Sequence, residues 1–132
     1  MTHAVLADTG PLYAAVDPED SQHARALQEL QKLDSDRWEI VVLYSTLLEA
    51  YSLILFRLGR DVSSNWLTDM ANAVLLNPTP EDFRQAGERI RALSDQPITL
   101  FDAVAGVIAT RLKVEVWTYD HHFDEMRVPV WR

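Results

Sequence analysis

The chain has 132 residues, 48% of them hydrophobic, with four glycines, six prolines and no cysteine. That length suits one domain, that composition is too apolar for a disordered chain, and the lack of cysteine excludes disulfides, thiolate zinc centres and thiol nucleophiles. Twelve basic against twenty acidic residues give a net charge of −8, which excludes a protein that coats nucleic acid by long-range attraction but permits a polyanionic substrate held through bound cations.

Ala4 to Ala7 is a short apolar run stopped by Asp8-Thr9-Gly10-Pro11, the pattern of a buried strand ending in a turn, with a helix starting near Pro11. Between Glu19 and Leu33, Ala24, Leu27, Leu30 and Leu33 recur every three residues among charged and amide side chains, which predicts an amphipathic surface helix. Glu39 to Leu43 is rich in β-branched residues and predicts a second buried strand. Ser45 to Leu58 reads as an almost wholly apolar helix halted by Gly59. Two further helices are expected, Val62 to Leu75 and Pro80 to Leu93, the latter opened by Thr79-Pro80-Glu81-Asp82. Beyond Pro97 comes a helix from Leu100 to Lys113. Val114 to Thr118 predicts a third strand ending at Tyr119-Asp120, and Val128-Pro129-Val130 a last edge strand. The opening Met1-Thr2-His3 lacks the basic and apolar regions of a signal peptide, and the apolar stretch around Leu53 to Phe56 is interrupted by Glu49, Ser52 and Arg57, so a cytoplasmic protein outside the membrane is expected. This alternation predicts an α/β domain over residues 1–132, with a mainly parallel central sheet flanked by helices and a ligand site at the carboxyl ends of the strands.

Four acids stand where apolar elements end or are interrupted. Asp8 follows the first strand; it suits either a site at the sheet edge or a cap on the next helix. Glu49 belongs to a narrow polar stripe, Ser45, Glu49 and Ser52, on a helix that is otherwise apolar, where a carboxylate is costly unless a partner or cation meets it. Asp102, three residues after Thr99, fits a capping box and also an acid aimed into a cleft. Asp120 closes the third strand between Thr118 and Asp124; a solvated turn is the other reading. Converging carboxylates suit hard ions such as magnesium or manganese, and two such ions can serve an in-line phosphoryl displacement. His121 and His122 read as solvated, since neighbouring side chains diverge and no further nitrogen ligand is placed to join them. Glycine-rich phosphate loops are absent, and Asp8-Thr9-Gly10 copies the aspartic-protease tripeptide in a chain too helical for that family.

The stretches Val5-Leu6-Ala7-Asp8-Thr9-Gly10, Ser45-Thr46-Leu47-Leu48-Glu49-Ala50, Thr99-Leu100-Phe101-Asp102-Ala103 and Thr118-Tyr119-Asp120-His121-His122-Phe123, in this order and spacing, resemble PIN-domain ribonucleases, in particular the small VapC-type toxins of toxin–antitoxin pairs. The resemblance covers nearly the whole chain and implies a three-layer PIN-like fold. It also implies a magnesium- or manganese-dependent endoribonuclease with Asp8, Glu49, Asp102 and Asp120 as metal-binding catalytic acids. Thr118 and Asp124 would support them, RNA would be the substrate, a small antitoxin protein the partner, and a homodimer the assembly. With only two lysines, Lys32 and Lys113, the basic rim expected around such a cleft is thin. Two rival readings are a PIN-like binding module without efficient turnover and a receiver-like phospho-acceptor domain, although Lys113 precedes the third strand where a receiver needs a lysine at the end of a late one.

Two physical expectations accompany this reading. Trp66, Leu67, Met70 and the apolar Leu53 to Phe56 exceed what one small core needs and predict a twofold contact. Convergence of the acids predicts raised carboxyl pKa values in the metal-free protein, with Asp120→Asn as a variant that relieves repulsion without touching a helix cap.

Overall fold

The computed structural model of the protein describes residues 3–132. Its elements are β1 (Ala4–Ala7), α1 (Thr9–Ala14), α2 (His23–Ser35), β2 (Glu39–Leu43), α3 (Tyr44–Leu58), α4 (Arg60–Asp69), a 3-10 turn (Met70–Asn72), β3 (Val74–Leu76), α5 (Pro80–Ala92), α6 (Leu100–Leu112), β4 (Glu115–Trp117) and α7 (His122–Glu125). The strands pair only in parallel, in the order β3-β2-β1-β4. Alternate residues of β1 supply opposite layers. Leu6 packs with Ala103, Val107 and Ile108 of α6, whereas Val5 and Ala7 pack with Leu12, Leu33, Leu47, Ile54 and Trp66 from α1 to α4. Helices therefore cover both faces, as a parallel sheet with apolar side chains on both sides requires, and the expected three-layer α/β architecture is the one observed.

Strand order fixes where a ligand site belongs. From β1 the chain steps to β2 and β3 on one side, then crosses back through α5 and α6 to place β4 on the other side of β1. The topology thus reverses between β1 and β4, and a crevice opens at the carboxyl ends of strands that diverge in this way.

Several expected boundaries shift. The helix read as Val62 to Leu75 ends at Asp69 and gives way to β3, whose residues Val74, Leu75 and Leu76 pair with Val41, Val42 and Leu43. Three apolar residues carry no period of their own, and only the neighbouring strand makes them extended. The surface helix begins at His23 instead of Glu19, the third strand narrows to Glu115–Trp117, and the expected last edge strand is a single parallel bridge between Val116 and Val130. Trp66 is 3% exposed and lies in the core beneath α4, so it is no part of a free surface.

Gly59 ends α3 and begins α4 with φ +93° and ψ 178°, a conformation reserved for glycine, and nothing lies within 4 Å of where a Cβ would stand. The cost of Gly59→Ala is therefore backbone strain alone, about 1–3 kcal/mol. Thermal melting should show a drop of several degrees; an unchanged melting temperature would contradict this account of the α3–α4 corner.

Candidate active site

The register of β1 and β4 builds the site. Ala7 pairs with Trp117, so Asp8 and Thr118 leave the sheet side by side, the Asp8 N–H donating to the Trp117 carbonyl at 2.9 Å. Thr118, only 4% exposed, donates from Oγ1 to Asp8 Oδ2 at 2.8 Å and accepts from the Asp120 N–H at 3.0 Å. One buried hydroxyl thus ties the first and last acids of the chain's quartet together. Asp120 is also held from its other side, where Oδ1 accepts from the His122 N–H at 2.9 Å.

Asp102 arrives from the first turn of α6. Thr99 Oγ1 accepts from the Asp102 N–H at 3.2 Å and caps that helix. The same Thr-x-x-Asp pattern at α5 makes a complete capping box: Thr79 Oγ1 accepts from the Asp82 N–H, Asp82 Oδ2 accepts from the Thr79 N–H at 2.8 Å, and Asp82 also binds Arg111 at the far end of α6. At α6 only the threonine half of the box forms. The carboxyl of Asp102 instead hydrogen-bonds Asp120, and the residue is 8% exposed. Gly106 lets α6 approach the C-terminal segment closely, since a Cβ there would meet Val128 Cγ2 at 3.3 Å and Met126 Cε at 3.4 Å. Glu49 is half-buried in the second turn of α3, and its charge acts on Asp8.

The four acids do not titrate alike. Burial first, then a hydrogen bond given to Asp120 and the charges of Asp8 and Asp120, push Asp102 up to about 8, so it keeps its proton at neutral pH. Burial also raises Asp8, helped by the charges of Asp120 and Glu49 and opposed by the bonds from Thr118 and the Thr9 backbone. Asp120 moves the other way: burial would raise it, but the bonds from the His122 backbone and from Asp102 hold it below the ordinary carboxylate range. Asp120→Asn would remove a charge that raises both Asp8 and Asp102, as expected, but it would also remove the acceptor of the Asp102 hydrogen bond, so Asp102→Asn, at the raised group itself, is the simpler variant. A set of carboxylate oxygens, one of them protonated for want of a counter-charge, fits a hard divalent cation.

Other residues fall differently from expectation. Asp124 is exposed on α7 and meets Arg132 at 3.3 Å, without a hydrogen bond to the acids. His121 is solvated as expected, with a side chain 73% exposed, but His122 is 15% exposed and its Nδ1 lies 3.0 Å from Asp120 Oδ1. Arg25 and Glu29 carry no signal in the sequence, and Tyr119 shows there only as the end of the third strand, yet the three meet beside the site. Glu29 Oε1 accepts from Trp117 Nε1 at 3.1 Å and from the Tyr119 hydroxyl at 2.6 Å, while the Arg25 guanidinium lies 4.2 Å from the centre of the Tyr119 ring. This network braces the end of β4 and brings a cation to the residue beside Asp120, a feature no lysine count reveals.

A family model described as PIN domain matches residues 5–129, and no curated protein matches the sequence. Solved structures resemble the fold. One is VapC20 of Mycobacterium tuberculosis, described as a sarcin–ricin loop cleaving toxin, with TM-score 0.84 and 16% identity over 97% of this chain and 98% of that one. VapBC2 of Rickettsia felis, solved bound to a DNA fragment from its promoter, has TM-score 0.73 and 13% identity over 98% and 97%. A toxin–antitoxin complex from Klebsiella pneumoniae has TM-score 0.58 and 16% identity over 89% and 87%.

Proposed function

We propose a metal-dependent endoribonuclease function, because the chain belongs to the PIN-domain family. The observation that carries this reading is the meeting of Asp8, Asp102 and Asp120, with the charge of Glu49, at the switch point of the sheet. These four acids are the catalytic and metal-binding set of the proposal, and magnesium or manganese is the ion. When bound, such an ion lowers the pKa of water to yield a nucleophile and offsets the charge that builds on a phosphodiester. The protein's own residues set the geometry. Thr118 orients Asp8, the His122 N–H orients Asp120, and the half-made cap at Thr99 leaves the Asp102 carboxyl free to face them. Asp102 must give up its proton to serve as a ligand, so ion binding is expected to release protons to the solvent near pH 7.

The toxin role, in the cytoplasm, with a small antitoxin as partner, is supported by the fold shared with VapC20 and with the Klebsiella pneumoniae complex; RNA as substrate is supported by the activity described for VapC20. Among the described residues no helix is long and apolar enough to cross a membrane. The deciding experiment incubates purified protein with structured RNA and, in separate reactions, manganese or magnesium, with and without EDTA. Cleavage that stops with EDTA is the expected result, whereas cleavage indifferent to EDTA, or none with either ion, would overturn the reading.

A homodimer completes the proposal. Leu48, Leu55 and Phe56 of α3 are 66%, 41% and 91% exposed, and Leu67 of α4 is 47% exposed, a surface that a second copy would cover. Light scattering at micromolar concentration should give about twice the 15.1 kDa of one chain, and a particle of single-chain mass would remove the dimer.

A further inference from the structure

Beside the oxygen quartet lies a second donor set of different chemistry. Asp120, His121 and His122 bring ligand atoms within 4.8 Å of one another. The chain turns into α7 between the two histidines, so their rings do not diverge but come to 4.3 Å between centroids at 38°. His122 Nδ1 is 3.0 Å and His121 Nδ1 3.8 Å from the same oxygen, Asp120 Oδ1. Neighbouring ligands of one small cation stand about 3 Å apart when each lies about 2 Å from it. Of the three pairs, Asp120–His122 therefore already has that spacing, and a rotation of the exposed His121 ring would bring its nitrogen closer to both partners.

Two further observations point to a ligand. His121 Nε2 lies 3.7 Å from Glu125 Oε1, longer than a hydrogen bond but on the side from which a carboxylate orients a metal-binding imidazole. His122 Nδ1 is shut off from solvent with Asp120 Oδ1 as its neighbour at 3.0 Å, and Glu125 Oε2, also shut off, makes no hydrogen bond; buried polar atoms are rarely left without partners.

We propose that Asp120, His121 and His122 bind one borderline transition cation, such as zinc, at a site distinct in donor type from the carboxylate quartet and sharing Asp120 with it. Imidazole nitrogens favour zinc over magnesium and manganese, which prefer all-oxygen ligands. Because one carboxylate serves both sets, zinc here withdraws Asp120 from the quartet; that consequence alone rests on the proposed function.

The test is calorimetric titration of the purified full chain with zinc chloride, and separately with manganese chloride. The wild type should bind one zinc ion per chain, His121→Gln/His122→Gln should bind it at least tenfold more weakly, and Asp124→Asn, at an exposed carboxylate that meets only Arg132, should bind it as the wild type does. Equal zinc affinity in the wild type and the double variant, or no zinc binding by the wild type, would overturn the site. Should the double variant fail to fold, His121→Gln alone, at an exposed position, must weaken zinc at least several-fold; unchanged affinity there also overturns the site. Absence of manganese binding with zinc binding intact would count against the ribonuclease reading and leave the zinc site standing.

Discussion

Replacing Asp8 with asparagine is expected to lower manganese-dependent RNA cleavage by on the order of a hundredfold or more, since charge stabilisation by a held cation is worth several kcal/mol and each 1.4 kcal/mol is about tenfold in rate. The fold should survive. Asparagine keeps an oxygen to accept from Thr118 Oγ1, which now donates to Asp8 Oδ2 at 2.8 Å, and it removes a charge that burial and the charges of Asp120 and Glu49 disfavour. Melting temperature and cleavage rate, measured on the same preparation, separate the two effects. Asp124→Asn is the matched control: its carboxylate is exposed and meets only Arg132, so its cleavage rate should stay near that of the wild type. An Asp8→Asn protein that cleaves at the wild-type rate would remove Asp8 from the catalytic set.

The second large effect concerns Asp102 and is read in stability against pH. Its folded pKa, about 8, lies above the ordinary value of 3.8. The sign follows from linkage: below about pH 4 the group is protonated in both states and costs nothing. Between about pH 4 and 8 the unfolded chain sheds the proton more readily than the folded one, so stability falls as pH rises. Asp8, also raised, adds to the same trend, while the lowered Asp120 contributes stability that is lost only on acidification. The asparagine of Asp102→Asn imitates the protonated acid, because its amide still donates to Asp120, and the backbone N–H of that position still caps the helix on Thr99 Oγ1. Without metal, Asp102→Asn should melt close to the wild type at about pH 4 and several degrees above it at pH 8. Manganese reverses the order: an ion bound only by the folded state at a hundred times its dissociation constant adds about 2.7 kcal/mol, and the variant, lacking one ligand, should gain less. Parallel melting curves from pH 5 to 8 for both metal-free proteins would contradict the shared proton.

Local pattern made much of the architecture legible. The apolar run before Asp8, the β-branched residues of β2 and the long apolar stretch ended by Gly59 declare themselves within a few residues, because burial and backbone propensity act over that distance. The acids were visible for the same reason: Asp8, Glu49, Asp102 and Asp120 each end or break an apolar element. Local pattern was silent where a residue's role depends on distant neighbours. Val74 to Leu76 carry no strand signal until β2 pairs with them. Trp66 looked like free surface until α4 folded it onto the core.

By itself, then, the sequence determined the α/β layering and the positions of four unusual acids, since both follow from which residues avoid water along a short stretch. Only the tertiary structure decided how those acids differ. The Thr-x-x-Asp pattern occurs at the start of α5 and of α6, yet Asp82 completes a capping box and pairs with Arg111, while Asp102 turns to Asp120 and holds a proton. Thr118 reaches Asp8 across 110 residues of chain through the register of two parallel strands, and His122 lies against Asp120 because the chain turns there into α7. Protonation and ligand chemistry are set by burial and by neighbouring charge, and both are properties of the packed chain.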